Sequence, residues 1–360
     1  MSHEGTPWGG IGGIRRLADG YRGLRRTGEA IDARFRGWER RHGHRALRYS
    51  LAFVFFWFGI TKPLAISPAD AVVRPTLAAT PILNELVSFQ LFFGILGWWE
   101  ALVGLGLLWR HTVRLAVACM CVQMAATFAP LFVIPGEAFR WWPLVPSAIG
   151  FYIVKNFALA TAGLVVVTLD SEPLFGKRVR EQGVLALVGD SIDERIETVR
   201  PTGRGTFEAA TSRLTVRSLQ AGLAIVFCWS GVLMVSTSPV PGQWIASIVP
   251  GSLIANSVFI PLFGVLELAI GLYLLFPTGR TTHAAAYLSM GYVAVTMSPV
   301  ALNPGQVFAS MPFEPTFEGV YLFKDLILVA GILTIDAYST SSGVGDDVDT
   351  EETDRAEPDL

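Results

Sequence analysis

Three of the four lysines in this 360-residue chain, Lys62, Lys155 and Lys324, lie inside stretches that otherwise read as membrane-spanning. An ionisable side chain at membrane depth costs at least about 2.5–3.5 kcal/mol, so it faces a bundle interior or a water cavity and takes a partner. Candidate carboxylate partners in the same regions are Glu100, Glu267 and Asp325. A lysine and a carboxylate on different helices can hold helix register as an ion pair. They can also form a polar site that accepts a proton, a quinone headgroup or a small anion. In the first half Lys62 and Lys155 face Glu100 alone, a formal excess of positive charge that such a guest would relieve. The second half reverses the balance, with Lys324 against Glu267 and Asp325. Neighbouring helical residues point about 100° apart, so Lys324 and Asp325 cannot share one bundle centre. The expectation pairs Lys324 with Glu267 and turns Asp325 toward the other half or a water-filled crevice. Trp57, Trp98, Trp99 and Tyr152 offer flat apolar walls to such a site, or serve as packing and interface anchors.

These side chains need helices to carry them. With 51% hydrophobic and 16% charged residues and a mean hydropathy of +0.46, the composition excludes an ordinary soluble domain and suits an all-α integral membrane protein. Eight apolar stretches reach the roughly 20 residues needed to cross a bilayer, near 47–66, 86–109, 113–134, 146–169, 216–237, 254–276, 282–302 and 316–337. Pro130, Pro135, Pro299 and Pro304 are expected to kink or end the third and seventh spans. Arginines crowd the first 48 residues and the segment after the fourth span, while the opposite loops carry only Arg74 and Arg140. The positive-inside rule then predicts a multi-pass plasma-membrane protein with both termini cytoplasmic.

Five segments follow: a basic N-terminal segment (1–45), a first membrane unit (46–169), a cytoplasmic linker (170–215), a second membrane unit (216–337) and an acidic, disordered tail (338–360). The polar, arginine-rich start is not a cleavable signal peptide, so the first apolar segment is expected to act as an uncleaved anchor. Its basic charge reads as a topology signal attracted to anionic lipid, with no nucleic acid as partner. Cys119, Cys121 and Cys228 are too few for a disulfide framework and form no C-x-x-C. The five histidines, His3, His42, His44, His111 and His283, lie outside the apolar segments or at their margins. No metal or haem pair is therefore expected at membrane depth, and no intrinsic cofactor.

The two membrane units match. LAFVFFWFGI at 51–60 aligns with LAIVFCWSGV at 223–232, and the block around Glu100 and Gly104 aligns with that around Glu267 and Gly271. TFAPLFVIPGEAF at 127–139 aligns with TMSPVALNPGQVF at 296–308, and PSAIGFYIVKN from Pro146 with PTFEGVYLFKD from Pro315, which superposes Lys155 on Lys324. Met234 stands at the Lys62 position and Asp325 at the Asn156 position. Four spans per unit is an even number, so the halves are expected as parallel four-helix-bundle repeats about an axis along the membrane normal.

The blocks F-x-W-F-G-I-x-K at Phe55–Lys62, G-W-W-E-A-L-V-G-L-G-L-L at Gly97–Leu108 and F-Y-I-V-K-N-F-A-L at Phe151–Leu159 resemble the DoxX-like family of small four-helix membrane proteins. The resemblance covers 46–169 closely and 217–337 more loosely, so the chain looks like a tandem duplication. Some relatives are subunits of redox assemblies, including thiosulfate:quinone oxidoreductase. The resemblance thus implies a membrane subunit of a redox or quinone-linked system, with the lipid bilayer and a redox protein as partners and quinone as the possible redox molecule. The alternatives are a transporter or channel for a proton or small solute, and an architectural membrane protein without catalysis.

Overall fold

A backbone in hydrocarbon has no water to bond, so a spanning segment must satisfy its own N–H and C=O groups, which favours helices. The computed structural model describes residues 9–170, 204–237, 243 and 256–354, and most of them are helical. In the first half, α1 is Gly9–Thr61, α2 Asp70–Ala78, α3 Pro81–Leu86, α4 Phe89–Gly106, α5 Val113–Thr127, α6 Pro130–Val133, α7 Pro135–Ala138 and α8 Ala148–Asp170. In the second half, α9 is Arg204–Thr237, α10 Asn256–Leu275, α11 Gly279–Leu302, α12 Pro304–Val307, α13 Phe317–Phe323 and α14 Asp325–Asp354.

Local chemistry sets several of these ends. Ser88 accepts from the Leu91 N–H at the start of α4, Thr316 does the same for Gly319 at α13, and Thr278 forms a capping box with Thr281 at α11. Pro130, Pro135 and Pro304 each occupy a first turn, where no N–H is missed. Pro299 instead stays inside α11, close to its end.

Among the described residues, six stretches are long and apolar enough to cross a membrane: Phe89–Gly106, Val113–Val133, Ala148–Leu169, Ser212–Ser236, Ser257–Leu275 and Gly279–Leu302. Eight were expected. The apolar part of α1 ends at Thr61 and contains Arg48, and the last stretch is interrupted at Lys324, between α13 and α14. Leu91, Ile95, Trp98 and Leu102 recur on one face of α4 and all are exposed, as are Val258, Leu262 and Val265 on α10. Such stripes suit contact with lipid tails.

The same series of small elements appears in both halves. After α7 comes a hairpin of β1 (Phe139–Trp141) and β2 (Val145–Pro146); after α12 comes one of β3 (Phe308–Ser310) and β4 (Glu314–Pro315). The Trp142–Pro143 and Met311–Pro312 peptides in their turns are both cis. Helix pairing repeats as well. A Cβ on Gly59 would lie 2.3 Å from Ala101 N and one on Gly104 2.3 Å from Phe56 N, so only glycine lets α1 and α4 approach this closely. Gly231 and Gly271 do the same between α9 and α10.

The halves do not close as separate four-helix bundles. The helix contacts run from α1 to α4, α5 and α8, on to α9, α10, α11 and α14, and back to α1. The first helix of each half packs more extensively on the last helix of the other half, α1 on α14 and α9 on α8, than on its own. One apolar core results, from Leu51 and Phe55 through Val165 to Leu223, Phe227 and Leu333.

At both ends helix extends beyond the expected membrane units. α1 already begins at Gly9, and α14 continues to Asp354, inside the segment expected to be a disordered tail. Once nucleated in a packed core, a helix gains one hydrogen bond for each residue added, so extension past the core is cheap. The expected linker falls mostly on 171–203, outside the described residues, and α9 starts at Arg204.

Candidate functional site

The buried charges meet where the two halves interlock. Lys155 on α8 and Lys324 after α13 each reach across into the other half. The Lys155 ammonium donates to Asp325 Oδ1 at 2.5 Å and to the Tyr321 carbonyl at 3.3 Å, and sits over the Tyr321 ring. The Lys324 ammonium donates to Asn156 Oδ1 at 2.8 Å and to the Tyr152 carbonyl at 3.0 Å, and sits over the Tyr152 ring. Aligned positions therefore make the same three contacts in both directions. They differ in one atom type, because Lys155 meets a carboxylate and Lys324 a neutral amide.

The glutamates are held within their own halves. Glu100 pairs with Lys62 and accepts a further hydrogen bond from the Gln123 amide of α5. Lys62 also donates to the Phe58 carbonyl at 3.0 Å, just past the end of α1. Glu267 accepts from the Ser230 hydroxyl at 2.7 Å, and Tyr292 stands between Glu267 and Asp325. The expected Lys324–Glu267 pair is not formed, because α13 and α14 turn Lys324 toward α8. Asp325 faces the first half.

The charges balance overall, three lysines against three carboxylates, yet only two ion pairs form. Among the described residues, Lys324 and Glu267 have hydrogen bonds but no salt bridge. Glu267, Lys324 and Asp325 are 2%, 2% and 0% exposed, so none relies on water for its solvation.

Two small cavities flank the crossing, again as counterparts. Phe55, Glu100, Thr127, Tyr152, Asn156 and Lys324 line one of about 40 Å³. Lys155, Ser230, Glu267, Tyr292 and Tyr321 line one of about 10 Å³. Each thus combines a glutamate from one half with a lysine from the other. A water needs roughly 10–15 Å³ of such space, so these cavities match water and are far smaller than a quinone ring.

Of the expected aromatic walls, only Tyr152 lines a cavity. Trp57 packs edge-on against Phe323 at 4.7 Å, inside the contact between halves. Trp99 is 40% exposed and donates its indole N–H to the Cys119 carbonyl at 3.3 Å. Reasoning from charged residues alone missed Gln123, Ser230, Tyr292 and Tyr321. An isolated glutamine in the apolar run of α5 was the one available signal.

A second polar cluster lies where the N-terminal part of α1 meets α11 and α14. His283 is hydrogen-bonded through Nδ1 to Asp336 at 2.5 Å and through Nε2 to Asp32 at 2.6 Å. Asp32 also pairs with Arg36 and accepts from the Tyr287 hydroxyl at 2.9 Å. Burial alone would raise Asp32, but its bonds to His283 and Tyr287 outweigh that and hold the carboxyl below its usual range. Burial, and then the charge of Asp336, push Glu39 up to about 9.

Fold and site together define an integral membrane protein, helical and with several apolar helices able to cross a bilayer. No family model, curated protein or solved structure matches the chain.

Proposed function

We propose that this protein exchanges protons within the membrane, at the composite site formed by Lys324, Glu267 and the Lys155–Asp325 pair. In this reading the chain crosses the plasma membrane eight times as two parallel, DoxX-like repeats with both termini cytoplasmic. The observation that carries it is the pair of groups without a counter-ion. Lys324 and Glu267 can each change protonation state without breaking an ion pair, whereas the other charges cannot. The water-sized cavities beside them suit proton transfer through a water and are themselves too small for a larger solute.

The test is proton flux into vesicles holding the purified protein, driven by a potassium diffusion potential and read with an internal pH dye. Flux above protein-free vesicles, lost in Glu267→Gln, supports the reading. Flux equal in wild type, Glu267→Gln and empty vesicles sinks it.

A quinone-linked redox role is the second reading, favoured by one observation. The Glu100 side chain is 13% exposed, while its partner Lys62 is 4% exposed. A quinone headgroup diffusing in lipid would exchange protons with Glu100, and a partner protein would carry the electrons. Quinone-dependent turnover of such a partner, lost in Glu100→Gln, would support it.

A further inference from the structure

We propose that Glu39, His283 and Asp336 bind a divalent transition-metal ion, of the type of Zn²⁺ or Mn²⁺, where the N-terminal part of α1 docks on α11 and α14. This site is separate from the intramembrane lysines and does not depend on their role.

The geometry comes first. One ligand atom from each of the three residues lies within 4.8 Å of the others. Three ligands of one ion at roughly 2.1 Å lie about 3.4–3.6 Å from one another, so a contraction of about an ångström at the widest separation completes the set. The three residues come from three helices distant in sequence, which positions them on a rigid frame.

Burial supplies the second observation. Glu39 is 1% exposed, and its Oε1 has no hydrogen-bond partner. The Glu39 and Asp336 carboxyls share a hydrogen bond when no ion is bound, yet Oε1 stays unsatisfied, and a cation held by Glu39, His283 and Asp336 would displace the shared proton and satisfy both carboxylates. No lysine or arginine makes a salt bridge to Glu39 among the described residues.

The donor types then narrow the ion. One imidazole with two carboxylates suits borderline metals better than Mg²⁺ or Ca²⁺, which take oxygen throughout. His283 also carries the outer partner that metal-bound histidines need. With Nδ1 exchanging its 2.5 Å hydrogen bond to Asp336 for the metal, its Nε2–H still donates to Asp32 at 2.6 Å, which orients the ring. Arg36 and the Tyr287 hydroxyl in turn hold Asp32.

Co²⁺ is the probe, added to the chelator-treated full chain in detergent and followed by its visible spectrum. The expected result is one equivalent bound, with d–d bands, no thiolate charge-transfer band, and displacement by Zn²⁺. Glu39→Gln and His283→Gln should each weaken binding at least tenfold. Asp32→Asn leaves all three ligands in place and should weaken it by about 10–100-fold. The assignment is overturned if the folded wild type binds no Co²⁺, or if affinity is unchanged in any of these three variants.

Discussion

Lys155 bonds Asp325, the residue that directly follows its own counterpart Lys324, at 2.5 Å across the contact between the halves. The reciprocal contact, Lys324 to Asn156, has the same geometry with an amide in place of the carboxylate. The two-way exchange thus has one shape and carries a carboxylate on one side only.

Removing Asp325 leaves Lys155 buried without its salt-bridge partner, with Glu267 only across the small cavity. Asp325→Asn is expected to destabilise the protein by about 3–5 kcal/mol. Asp325→Leu combined with Lys155→Met should recover most of that loss. Denaturant or thermal unfolding in detergent, run as a double-mutant cycle, reads both; equal stability of Asp325→Asn and wild type would show that the pair contributes nothing.

Asn156→Asp should add the second carboxylate and turn Lys324 into the image of Lys155. The expected outcome is a folded protein with proton flux reduced at least tenfold, because Lys324 then gives up its proton only by breaking an ion pair. Unchanged flux would remove Lys324 from the proton path.

Met234 is buried at the position aligned with Lys62, and its Cβ lies next to Gly264 as that of Lys62 lies next to Gly97. Met234→Lys should therefore reach Glu267 as Lys62 reaches Glu100. Such a variant should fold and lose proton flux, while Met234→Leu keeps both. Aggregation of Met234→Lys alone would mean that Glu267 lies out of reach.

Gly104→Leu forces a branched side chain against the α1 backbone. A loss of more than about 1–3 kcal/mol is expected, since backbone cannot yield as a side chain does. Gly136, whose Cβ would meet nothing within 4 Å, should accept alanine without loss. The comparison is made by thermal unfolding of both variants.

For the metal-free protein, Glu39 sets a pH dependence. Its carboxyl titrates near the ordinary value of 4.5 when unfolded and at about 9 when folded, so the folded state binds the extra proton between these values. The contribution of Glu39 to stability should therefore be greatest below about pH 4.5 and be lost as pH rises toward 9. Hydrogen exchange over residues 33–41 in the presence of chelator reads this slope, and Glu39→Gln should flatten it.

Much of this was legible because period and charge placement are local properties. The apolar runs, the aligned prolines and the two Glu–Gly blocks all fall on corresponding elements, and the buried positions of Lys62, Lys155, Lys324 and Asp325 follow from their apolar flanks. The partner of each charge was not legible. Lys324 was paired with Glu267 because both belong to one half, and sequence contains no sign that α1 packs on α14 or α9 on α8. The cluster around His283 was missed for a related reason: Asp32, Glu39 and Asp336 lie in polar or terminal stretches where a carboxylate ordinarily faces water. Only the three-helix crossing buries Glu39 and Asp336 and partly covers Asp32.

The packing of α1 on α14 also orders events during synthesis. α1 leaves the ribosome more than two hundred residues before α14, its main partner in the other half. At roughly 5–20 residues per second, α1 waits on the order of tens of seconds with that face uncovered. The nascent chain therefore holds Lys155 in the bilayer well before its partner Asp325 exists, and insertion machinery or lipid must shelter it until the last helix arrives.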